Sequence, residues 1–158
     1  MQGRLVPSEK KNAIQFFPAK NWKKEIKLAS KNNFQIMEWT INNENLSKNP
    51  IYNGNLKELK QALKENKLSI PSVTYDYFME QPFFKKINDK NKRKILKNLV
   101  KIIKNSNKIG VTYHVFPLVD NSSIKTIKEE KILIKEVRNI LKYLKKGSKI
   151  LFEIDYKP

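Results

Sequence analysis

Phe34-Gln35-Ile36-Met37-Glu38-Trp39-Thr40 sets the reading of the whole chain. Its β-branched and aromatic residues mark a strand. Alternation sends Met37 and Trp39 to one side and Ile36 and Glu38 to the other. Three later runs have the same character: Ser69-Ile70-Pro71-Ser72-Val73-Thr74-Tyr75, Val111-Thr112-Tyr113-His114-Val115-Phe116 and Lys149-Ile150-Leu151-Phe152-Glu153-Ile154. A shorter strand is predicted from Met1 to Val6. Between the strands lie helix-length segments whose apolar residues step by three and four. They are marked by Trp22, Ile26 and Ala29; by Leu56, Leu59, Ala62 and Leu63; by Ile95, Leu99, Ile102 and Ile103; and by Leu133, Val137, Ile140, Leu141 and Leu144. Asn55 is predicted to cap the second helix. Thr126 and Glu129 have capping-box spacing at the start of the fourth, and Gly147 is predicted to stop it in the C′ position.

Strand starts near 34, 69, 111 and 149 recur every 35 to 42 residues, the spacing of successive β/α units on a parallel sheet. Five parallel strands and four helices, finishing on a strand, fit either an open α/β sheet or the first five-eighths of a (β/α)8 barrel. A barrel of about 250 residues would place that point near residue 156, roughly where this chain stands. Only Asn42 to Asn55, polar and interrupted by Pro50 and Gly54, reads as a loop. It follows a strand, so it belongs to the face where such folds bind ligands.

Composition narrows the function classes. The 158 residues suit one domain, 39% hydrophobic and 30% charged. The absence of Cys excludes disulfides, thiolate metal sites and cysteine nucleophiles. No apolar stretch reaches membrane-spanning length, and Met1 to Pro7 lacks the apolar region of a signal peptide, so a cytoplasmic protein is the expectation. The net charge of +18 suggests a polyanion partner, yet of 33 basic residues only Arg4, Arg93 and Arg138 are Arg. Bidentate readers of nucleic acid lean on Arg. Scattered pairs such as Lys23-Lys24 and Lys85-Lys86 read instead as solvated helix faces.

Four residues are candidates for chemistry. Glu153, at the end of the last strand, is placed where α/β proteins keep metal ligands and general bases; its plainer reading is a partly solvated glutamate. Glu38 points into a barrel's interior near its top, or is simply exposed if its strand is an edge. Asp76 lies in register with Ser72 and Thr74 and either positions a substrate hydroxyl or closes an Asx-turn. His114, the one histidine, is either a satisfied structural residue or a substrate-binding group. A site built from several His is impossible here, and no phosphate-binding glycine loop or metal-ligand cluster is present.

Several segments, taken together and in order, resemble the sugar phosphate isomerase/epimerase family, the xylose isomerase-like TIM barrels. They are Met1-Gln2-Gly3-Arg4-Leu5, Ile14-Gln15-Phe16-Phe17-Pro18 with Trp22, Met37-Glu38-Trp39, Tyr75-Asp76-Tyr77-Phe78-Met79-Glu80, Phe116-Pro117-Leu118-Val119-Asp120, and Leu151-Phe152-Glu153-Ile154-Asp155 with Pro158. The resemblance implies a barrel holding one divalent metal, Mn²⁺, Mg²⁺ or Co²⁺, bound by carboxylates and a His from strands five to eight. By position Glu153 is the strand-five ligand and a catalytic group, with Glu38, Asp76 and His114 as substrate-binding residues. The implied chemistry is Lewis-acid activation of a ketose carbonyl, with carboxylates moving a proton through an enediolate.

Residues 1–158 are therefore expected to form a single partial barrel domain, truncated after the fifth strand. As it stands it would be inactive, because strands six to eight carry the other ligands. The expected partners are a sugar or sugar phosphate and, through raw sheet edges, a second copy or a complementing chain. A non-catalytic, self-associating or partner-binding half-barrel is the alternative reading. Nucleic-acid binding like that of endonuclease IV, which shares the barrel superfamily, is a more distant one, because that enzyme's multi-metal site uses several His.

Overall fold

The computed structural model describes residues 4–7 and 15–155. Met1 to Gly3, Ile14 and Pro158, which carry part of the family resemblance, lie outside the described residues. Among those described, four strands form one parallel sheet: β1 (Ile36–Thr40), β2 (Ser69–Thr74), β3 (Tyr113–Pro117) and β4 (Lys149–Glu153). They stand side by side in chain order. The connections carry α2 (Pro50–Asn53) and α3 (Leu56–Glu65), then α4 (Asp76–Glu80) and α5 (Asp89–Asn107), then α6 (Ile127–Leu141). Helix α1 (Trp22–Lys31) precedes the sheet. This is a partial (β/α)8 barrel.

The predicted leading strand is not seen where it can be judged. Leu5 and Val6 form a bend, so the described sheet has four strands rather than five. The predicted last strand is β4.

Alternation divides the sheet as read from residues 34–40. Met37, Trp39, Val73, His114 and Phe116 are buried on the side that carries the helices. Trp39 lies 5.5 Å from Phe17 and 6.1 Å from Trp22, ring centre to ring centre. Farther along, Phe116 sits 4.7 Å from Tyr75 and 4.9 Å from Phe78, which in turn meets Phe83 and Phe84. The helices answer with Ile26 and Ala29, Leu59 and Leu63, Leu99, Ile102 and Ile103, and Leu133 and Ile140, all buried. The opposite face carries Glu38, Ser72, Thr74, Tyr113, Leu151 and Glu153, paired across the strands. One irregularity breaks the register: between Ile36↔Ser69 and Glu38↔Ser72 the second strand holds one extra residue, a bulge beside Pro71.

Local signals held in part. Thr126 caps α6, its Oγ1 accepting from Glu129 N–H at 3.2 Å, while Glu129 accepts from Lys125 N–H at 2.7 Å. Asn55 occupies the N-cap position of α3, but its amide donates to Glu58 at 2.7 Å instead of accepting a backbone N–H. Helix α6 ends at Leu141, so Gly147 (φ 86°) does not stop it; that glycine shapes a separate turn leading into β4.

The segment read as a polar loop turns out to be anchored. Asn49 is wholly buried and serves three groups: it accepts from Trp39 Nε1–H at 3.2 Å and Ile51 N–H at 3.1 Å, and donates to Thr40 C=O at 3.2 Å. Asn49→Ala would strand all three in the interior. The expected loss is roughly 2–4 kcal/mol of stability, read from the urea midpoint at constant slope.

Candidate functional site

The carboxyl ends of β1, β2 and β4 bring three of the four predicted residues to one face. Glu38 sits on β1 opposite Ser72, and its Oε1 accepts from Ser72 Oγ–H at 3.2 Å and from Thr74 Oγ1–H. Those hydroxyls are on the neighbouring strand, so the sheet register itself orients this carboxylate. Asp76 is the first residue of α4, directly after β2, and is buried. Gln15 Nε2–H donates to its Oδ1 at 2.7 Å. Glu153 ends β4 opposite Pro117 and is exposed.

Asp76 is the unusual group. Burial pushes its carboxyl up from 3.8 to about 7. The Gln15 hydrogen bond works against that rise, while the negative charges of Glu80, Glu153 and Glu38 add to it. The carboxylates of this face therefore act on one another. Glu80, at the end of α4, was not singled out from the sequence; it accepts from Asn43 N–H at 2.6 Å and ties the β1 loop to α4. Two more polar atoms at the same ends, Thr40 Oγ1 and Asn42 Oδ1, are buried without a protein partner among the described residues.

His114 is not brought to this face. It pairs with Val73 in the ladder, points to the helix side and is fully buried. Its Nδ1 lies 2.7 Å from the Tyr75 hydroxyl. Burial pushes the imidazole down to about 4 and the phenol upward, so both are neutral near pH 7. The pair belongs to the packed layer, on the side of the sheet opposite Glu38 and Glu153.

Two negative observations bound the chemistry. Among the described residues no three His, Cys, Asp or Glu side chains gather closely enough to hold a metal ion. No helix there is long and apolar enough to cross a membrane. A cleft of about 480 Å³ does exist, beside the β1 loop and α5, where Asn98 donates to the Tyr77 hydroxyl at 2.9 Å and accepts from that of Tyr52 at 3.1 Å. Its lining residues do not include the three carboxylates.

No family model matches the sequence, and no curated protein matches it either. Among solved structures the chain is similar to a xylose isomerase-like TIM barrel protein from Mycobacterium smegmatis, crystallised in complex with magnesium. The TM-score is 0.58 at 14% identity, over 85% of this chain and 47% of that one. The likeness shows the fold, and the chain spans about half the length of that protein.

The raised Asp76 carboxyl has a signed consequence. Between about pH 4 and 7 the folded chain holds a proton on Asp76 that the unfolded chain has released, so this group's contribution to stability falls as pH rises through that window. Asp76→Asn keeps an oxygen for Gln15 and removes the ionisation. It is expected to be more stable than the parent at pH 8, by roughly 1–3 kcal/mol, and close to it at pH 4. Paired urea titrations at the two pH values measure this.

Proposed function

We propose that this chain supplies part of the mouth of a sugar or sugar phosphate isomerase/epimerase barrel. The observation that carries the reading is Asp76, a buried carboxyl pushed up to about 7 at the end of β2, on the face that also holds Glu38 and Glu153. A group poised between its two protonation states at neutral pH suits proton transfer at a carbon next to a carbonyl. Asp76 holds and moves the proton. Glu38, fixed by Ser72 and Thr74, receives a substrate hydroxyl. The buried Thr40 Oγ1 and Asn42 Oδ1 offer further polar contacts at the same rim. Glu153 contributes a carboxylate from β4.

The family resemblance brings a divalent metal, Mn²⁺, Mg²⁺ or Co²⁺, and the mycobacterial neighbour was crystallised with magnesium. The described residues do not fit such an ion by themselves. Glu153 stands as one exposed carboxylate, and no third donor gathers near it. Such ions take oxygen-rich shells of six or more ligands. The metal's remaining donors, and with them the activity, are assigned to β/α units beyond the fifth strand of a whole barrel.

The test follows a ketose and a ketose phosphate in D₂O with Mn²⁺, reading deuterium exchange beside the carbonyl by NMR. The 158-residue polypeptide alone should give no exchange. Mixed with a polypeptide supplying the completing β/α units, it should give exchange that Asp76→Asn reduces by about 100-fold or more. A mixed complex without exchange, or exchange indifferent to Asp76→Asn, would overturn the proposal.

A further inference from the structure

The cleft beside the β1 loop and α5 holds about 480 Å³, a volume in the range of small-molecule sites. Its walls come from the connections β1–β2 and β2–β3, between three strands that pair with one another. Both connections are whole, so the cleft is shaped within the chain itself. Buried Leu46 and Ile95 give it an apolar part. The rest is polar.

One polar group in it lacks a partner. Asn98 bridges two phenols: its Oδ1 accepts from Tyr52 Oη–H at 3.1 Å, and its Nδ2–H donates to Tyr77 Oη at 2.9 Å. An amide set between two phenols uses one phenolic proton and leaves the other. The proton left is that of Tyr77, which has no acceptor among the described residues although Tyr77 is only 3% exposed. Reversing the amide would merely exchange the two tyrosines. The observed direction is reinforced from the far end, where Lys101 Nζ stands 4.2 Å from the centre of the Tyr52 ring and makes that phenol a better donor. Burial raises the Tyr77 phenol above its ordinary range, against the Asn98 bond, so the proton stays in place. A buried donor without an acceptor costs stability, and one that lines a cleft is satisfied by what enters there.

The remaining lining suits a negative charge. Lys94 is exposed at the cleft, Gln81 and Asn91 bring amide donors, and no Asp or Glu is among the described lining residues. Glu80 is occupied by Asn43 N–H. We propose that this cleft binds a small molecule through an oxyanion, a phosphate or a carboxylate. Lys94 supplies the counter-charge, the Tyr77 hydroxyl donates to one oxygen, and Leu46 and Ile95 meet the carbon skeleton. A lysine acts on such a group as a point charge, so the neutral donors set its orientation. None of Glu38, Asp76 and Glu153 lines the cleft, and the inference does not depend on the sugar reading.

Calorimetric titration of the 158-residue polypeptide with glycerol 3-phosphate, citrate and glycerol, in about 0.15 M salt, tests this. At least one of the two anions should bind one-to-one with a Kd of about 1 mM or tighter, and glycerol at least about tenfold more weakly. Glycerol 3-phosphate identifies a phosphate site, citrate a carboxylate site. Tyr77→Phe and Lys94→Gln should each weaken that binding by about tenfold. Lys60→Gln removes the same charge from an exposed position on α3 and should change it by less than about twofold, because attraction to the net charge of +18 is shared by the whole surface. Lys94 is exposed, so its variant keeps the fold, and circular dichroism should show this. In heteronuclear NMR spectra the Asn98 side-chain amide should shift as the anion is added to the parent. Binding by neither anion up to about 10 mM, equal losses in Lys94→Gln and Lys60→Gln, or an Asn98 signal that stays still would overturn the proposal.

Discussion

A parallel strand cannot return by a tight turn; it needs a crossover, and the crossover must lie over one face of the sheet. Everything else in this molecule depends on which face was chosen. Trp39, Val73 and Phe116 take the covered side and share one core cluster with residues of α1, α3, α5 and α6, and His114 is buried on the same side. The remaining side receives the residues that a packed layer would not accept uncompensated: Glu38, Ser72, Thr74 and Glu153. Polar chemistry collects there because apolar packing is satisfied elsewhere.

The same division explains why one carboxyl differs so much from its neighbours. Glu38 keeps two hydroxyl donors and Glu153 stays in water, whereas Asp76 enters α4 at a point closed over by the chain. With one amide donor from Gln15 and three negative charges nearby, its ionised form is disfavoured. A site that moves protons at neutral pH needs such an asymmetry among its acids.

Much of the architecture was legible from periodicity. Residues 34–40 alone predicted that Met37 and Trp39 share one side of β1, though not that Thr40 is buried too, and the spacing of the later runs located β2, β3 and β4 to within two residues at either end. Long-range satisfaction was not legible. Asn49 looks like one more polar residue in a loop, because the three groups it serves become neighbours only after β1 and the following turn are placed. His114 carries no local sign of its side beyond strand alternation, and its tie to Tyr75 crosses 39 positions. Asp76 was visible as a candidate, but its hydrogen-bond donor Gln15 lies 61 residues away. Gly147 misled because a left-handed glycine marks a turn of any origin, and here the turn belongs to the strand that follows.

Neighbouring strands in space are also neighbours in the chain, β1 to β4 without a skip. Among the described residues, each strand after β1 thus meets the strand it pairs with already made. Synthesis from the N-terminus can therefore lay the described strands down vectorially, one unit on the next, with a single helical crossover to close at each step.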